Sequence, residues 1–112
     1  MMTDEEALRY IEHLREHEMP APKPEREKGF IARNGQGAKV FGDVYGYFAA
    51  SLALDWYNKN SRVGVTLGEC IRNANTGLYL ASYEFIKKDS AVPFKDFAKP
   101  FILKELSTVA SS

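Results

Sequence analysis

Residues 65–85, VTLGECIRNANTGLYLASYEF, decide the fold. They read either as two strands joined by a turn at NANTG or as one amphipathic helix, and the two readings expose different side chains. Tyr79, Ala81, Tyr83 and Phe85 alternate as a strand requires. Against this, Leu67, Ile71, Ala74, Leu78, Ala81 and Phe85 recur at helical spacing, and at about 100° per residue they fall within an arc of about 80°. Thr66 and Glu69 add the spacing of a capping box. Gly77 costs a helix about 1 kcal/mol relative to alanine, and Asn73, Asn75 and Thr76 cost about half of that each. Burying the larger members of the stripe returns roughly 1.5–3 kcal/mol apiece, which outweighs that cost once the helix docks. The stretch is therefore read as a helix over 66–86, with Gly77 as the place where it would break.

The rest of the chain is consistent with one compact domain, 1–112, long enough for a single core. In TDEEALRYIEHLREHE, Thr3 and Glu6 form a second capping box and Ala7, Leu8, Ile11 and Leu14 an apolar stripe. A helix over 3–18 follows. Three prolines at 20, 22 and 24 then suggest an extended linker over 19–29. Asn34-Gly35, between the short apolar runs 30–33 and 38–41, is a strong hairpin signal because both residues tolerate positive φ. Two strands alone are marginal, so the hairpin would lie on the helices or take 62–65, RVGV, as a third strand. Asp43 suits an N-cap for a helix over 44–59, whose Ala49, Ala50, Ser51 and Ala53 make it the candidate for the centre of the core. Pro93 suits the start of a last helix bearing Phe94, Phe97, Phe101, Ile102 and Leu106, with a kink or restart at Pro100. The expected fold is mainly α with a small β-hairpin (α+β), of about four helices, with 30–112 forming the hairpin and helical core.

Composition narrows function. Fifteen basic residues balance fifteen acidic ones, so the broad positive field that draws proteins to nucleic acid is missing. One cysteine, Cys70, forms no internal disulfide, and no apolar run resembles a signal peptide or a membrane span. A cytoplasmic location without membrane association is expected.

Three motifs invite a chemical reading. His13-Leu14-Arg15-Glu16-His17 matches the H-x-x-E-H pattern of inverted zinc peptidases, which implies a third ligand and a much larger fold than 112 residues give. A solvated charged helix face explains it better. Cys70, on the margin of the apolar arc, lacks a nearby base and reads as a small buried hydrophobe. RNGQGAK, 33–39, has neither phosphate-loop nor dinucleotide spacing and reads as a hairpin tip. Arg33 and Lys39 there remain candidates for contact with a phosphate or an acidic partner. Cutting 66–86 into a helix-turn-helix around NANTG would leave LYLASYEF as the recognition segment, which carries no arginine or lysine. No catalytic residue, metal site or cofactor is expected.

The face opposite the apolar arc carries Glu69, Arg72, Thr76, Tyr79, Tyr83 and Lys87. Tyrosine with arginine is enriched at protein interfaces. Arg72, Thr76, Tyr79, Tyr83 and Lys87 are therefore the candidate partner-binding residues, unless the hairpin or first helix covers the tyrosines. The expected role is a small non-catalytic protein-binding module, self-association included, as an inhibitor or accessory factor of a larger assembly. In general style the compact, neutral, motif-free chain resembles accessory proteins of phages and mobile elements, such as anti-CRISPR inhibitors, a resemblance that rests on no motif. The alternative is a nucleic-acid-binding module using Arg33, Lys39 and Arg72 beside Tyr79 and Tyr83.

Overall fold

The computed structural model describes residues 2–35, 37–60, 64–88 and 92–110, with the side chain of Ala110 left aside. Among the described residues five helices make up the fold: α1 (Asp4–Glu16), α2 (Pro24–Asn34), α3 (Lys39–Lys59), α4 (Leu67–Phe85) and α5 (Phe94–Ala110). No strand occurs among the described residues, so the class is all-α and the expected hairpin does not exist.

α4 runs unbroken through NANTG, which removes both the two-strand and the helix-turn-helix readings. All six members of its stripe are buried, and Thr66 Oγ1 accepts the Glu69 N–H at 3.2 Å. Gly77 does not break the helix; it lets a neighbour in. A Cβ built there would lie 2.6 Å from Ile102 Cα and 2.7 Å from Phe101 O, so α5 crosses α4 with its main chain against the glycine. Small residues at a crossing allow this approach, and the cost in helix propensity is offset by the packing it permits.

The hairpin fails because 24–34 is a helix. Pro24 sits at the first helical position, where its missing N–H is not needed, and Glu27 and Ile31 bury one face four residues apart. The linker expected over 19–29 therefore ends at Pro24. Gly35, expected at positive φ in a hairpin turn, has φ −67°, and Gly37 at φ +99° supplies the reversal instead. A Cβ on Gly35 would lie 3.2 Å from Ser82 Cβ, so this corner is seated tightly on α4. Of the third-strand candidate at 62–65, residues 62 and 63 lie outside the described residues.

α3 starts a turn earlier than expected. Asp43 does not cap it but, one turn inside the helix, pairs with Lys39 at 3.1 Å. Tyr45, Ala49, Ala50 and Ala53 are fully buried, and α3 and α4 each pack against all four other helices, which makes them the paired centre of the core. α1 keeps its capping box and buries Ala7 and Ile11, but ends at Glu16 and leaves Leu8 49% exposed, outside the stripe it was assigned to. It docks in cis: Asp4 accepts the Tyr57 hydroxyl at 2.6 Å and the Leu67 N–H at 3.0 Å, and so caps α4 from a distance. α5 carries Pro100 in its interior without ending there. Both Pro100 and Asp96 are exposed, so the carbonyl that loses its donor can turn to water.

A second long-range cap anchors α5. Glu27, 4% exposed, accepts the Phe94 N–H at 2.9 Å through Oε1 and the Tyr45 hydroxyl at 2.6 Å through Oε2. Both oxygens are satisfied, which a buried carboxylate requires. Tyr45 in turn packs edge-on to Phe94 at 4.8 Å and near Phe41 at 5.3 Å. Burial, and then the Glu27 carboxylate, push the Tyr45 phenol far above its usual range. Three helices meet on one buried polar cluster.

Candidate functional site

α4 projects Arg72, Thr76, Tyr79 and Tyr83 outward, Lys87 follows just beyond its end, and all five are exposed. The structure divides this stripe. Arg72 lines a cleft of about 410 Å³ between α1 and α4, with Met2, Tyr10 and Glu69. Tyr83 and Lys87 line a larger groove of about 630 Å³ between α4 and α5. Tyr79 stands between them with its ring 5.5 Å from Phe41 at the start of α3, so a helix covers part of it in place of the absent hairpin. Thr76 turns its hydroxyl back to the Arg72 carbonyl at 3.2 Å.

Arg33 and Lys39 share no hairpin tip. Arg33 closes α2, and its guanidinium is directed back along that helix toward Gly29. Lys39 opens α3 and holds Asp43. The corner between them seats Gly35 against Ser82, and Phe41, two residues from Lys39, meets Tyr79, whereas Arg72 and Tyr83 line different recesses, so the five residues share no single recess.

The groove adds residues that the sequence pattern hid. Leu80, 46% exposed, and Tyr83, 49% exposed, stand on the α4 side; half-buried Phe97 and Phe101 form the α5 side. Phe97 was expected in the core and does reach it, with its ring 5.4 Å from Phe85, but its outer surface continues into the groove. Lys87, Lys88 and Lys104 stand at the margin with Glu84 and Glu105. Leu80 was legible as an apolar residue off the buried stripe. Phe97 and Phe101 were not, because spacing alone does not show how far two crossing helices diverge.

The two remaining chemical motifs lie in helices, HLREH at the end of α1 and Cys70 in α4, while RNGQGAK is not the hairpin tip expected. His13 and His17 are exposed and stack at 4.2 Å, and His17 Nδ1 donates to the His13 carbonyl at 2.9 Å. No group of three metal-ligating side chains occurs among the described residues. Cys70 is buried, and burial, followed by Glu69 and Asp4, pushes its thiol up to about 11, against a reactive thiolate at neutral pH. No helix among the described residues is long and apolar enough to cross a membrane.

Comparison with protein-family models, curated proteins and solved structures finds no match for this chain.

Proposed function

We propose that this chain is a non-catalytic protein-binding module, acting in the cytoplasm as an inhibitor or accessory factor of a larger assembly, and that it works through the α4–α5 groove. The observation that carries this is the adjacency of exposed Leu80 and Tyr83 to half-buried Phe97 and Phe101 in a fold whose core is complete elsewhere. Apolar and aromatic surface rimmed by charge is the composition of an interface. The earlier candidates Tyr83 and Lys87 belong to this surface; Arg72 and Thr76 lie away from it. The nucleic-acid reading draws less support, because Lys39 is already ion-paired and Arg72, eleven residues along α4 from Tyr83, lines a different recess.

Leu80→Ser combined with Tyr83→Ala tests the reading, since both side chains are exposed and their loss leaves the core intact. Wild-type protein should retain a partner from host lysate after nuclease treatment and at raised salt, while the double variant loses it with its melting temperature unchanged. Retention of the same partner by a folded double variant refutes the groove as the site. Tyr79→Ala is the wrong probe, because it also strips a ring from Phe41.

A further inference from the structure

Resting on that reading, we infer that the occupant of the groove is an amphipathic helix of another protein whose apolar anchors are flanked by acidic residues. The groove sets the length. Along the α5 wall Phe97 and Glu105 are eight positions apart, about 12 Å at the helical rise, and Leu80 to Lys88 form the facing wall. That length takes the span of about 10 Å from the first to the last anchor of an i, i+3/i+4, i+7 helix, the pattern used when a helix lies in a groove.

Charge sets the flanks. Lys87, Lys88 and Lys104 stand at the margin, and Lys28 joins them by donating its ammonium to the Lys88 carbonyl at 2.9 Å. Among the described residues lining this margin, Glu84, shared with Lys87 at 3.7 Å, and Glu105 stand against these lysines. The chain is neutral as a whole, so this positive excess is local. Lysines at the end of α4 also answer its helix dipole, but Lys104, in the middle of α5, has no such role. Complementary acidic residues on the occupant would steer its approach and fix its register.

A second copy fits less well. The acidic helix α1 is its natural donor, yet the outward face around Glu5 and Glu12 offers one apolar anchor, Leu8, and those two glutamates are already paired with Arg9 and Arg15. A nucleic acid would bring phosphates against two glutamates and an apolar floor.

Two synthetic helical peptides of about 15 residues test the inference, one with leucines at the anchor spacing flanked by glutamates, the other with lysines in their place. Anisotropy of labelled peptide measures affinity, and amide chemical shifts of the full chain locate it. The glutamate peptide should bind about tenfold more tightly, with shifts concentrated at Leu80, Tyr83, Phe97 and Phe101. Lys88→Glu with Lys104→Glu should reverse the order of the two peptides. Equal binding of both peptides in the groove overturns the acidic preference and leaves the docking surface standing. Binding of neither, competition by a single-stranded oligonucleotide, or self-association that fills the groove overturns the inference. Whether the docking reading itself fails is decided separately, by whether the Leu80→Ser, Tyr83→Ala variant keeps its partner.

Discussion

Replacing Gly77 with alanine sets helix propensity directly against packing. In an isolated helix the change is favourable by about 1 kcal/mol. In this fold the new methyl would lie 2.6 Å from Ile102 Cα, 2.7 Å from Phe101 O and 2.9 Å from Ile102 N. Carbon atoms settle at about 3.5–4.0 Å, so α5 must withdraw by about 1 Å at the crossing. Its neighbours Phe94, Ile102 and Leu106 are fully buried and would lose contact as it moves. Overpacking of this kind costs about 1–3 kcal/mol, and main-chain contacts on a rigid helix belong at the upper end. Net destabilisation of about 1–2 kcal/mol should remain after the propensity gain, a fall of roughly 5–10 °C in Tm for a domain of this size. Urea and thermal unfolding followed by helical ellipticity measure it. Gly42→Ala on α3 is the matched control, because a Cβ there meets nothing within 4 Å and should stabilise by about 0.5–1 kcal/mol. Trimming Ile102 to alanine should not rescue Gly77→Ala, since the obstructing atoms are backbone. If Gly77→Ala raises Tm as Gly42→Ala does, the close crossing of α4 and α5 is wrong.

Three further outcomes are expected. Tyr45→Phe keeps its ring contacts with Phe94 and Phe41 but leaves one oxygen of buried Glu27 without its donor, which should cost about 1–3 kcal/mol in urea unfolding; Glu27→Ala should cost more, because it orphans the Tyr45 hydroxyl and the Phe94 N–H together. The Tyr57 hydroxyl, and then the Leu67 N–H, hold the Asp4 carboxyl below its ordinary value. A depressed carboxyl adds stability above its unfolded pKa and loses it as pH falls through the folded one, so Asp4→Asn should flatten the acid loss of stability below about pH 4. The exposed, screened carboxylate limits this to no more than about 1 kcal/mol. Cys70 should react with a thiol reagent at neutral pH only as fast as the chain opens, and Cys70→Ala should keep partner binding; rapid labelling of the native protein would contradict its burial.

The sequence carried α4 in full because six apolar residues on one arc left little choice once a neighbour was assumed. α1 and α5 were legible for the same reason, with a capping box at Thr3 and Pro93 before Phe94 marking their starts. α2 was hidden by two local signals with a second meaning. Pro24 reads equally as linker or as helix start, and Asn34-Gly35 reads as a hairpin turn unless the helix before it is already known. What decided both was burial of Glu27 and Ile31 against helices distant in the chain. A glutamate in a charged run gives no sign that it will be buried. The candidate site was half legible: Tyr83 and Lys87 by their face on α4, Phe97 and Phe101 not, because a groove exists only between two helices whose crossing is fixed elsewhere, at Gly77.

The two long-range caps bear on the order in which the chain is made. Asp4 and Glu27 are synthesised early, yet the amides they satisfy, those of Leu67 and Phe94, come from the second half of the chain. In the folded chain Glu27 and Tyr45 come from its first half, and Phe94, which takes the other carboxylate oxygen, comes from its last helix. Until that residue arrives, sealing this cluster would bury an unmatched carboxylate oxygen, so water must stay in it. Final closure thus waits for α5. A chain stalled before Phe94 would remain open at its centre, a form that proteases and chaperones recognise by its uncovered apolar surface.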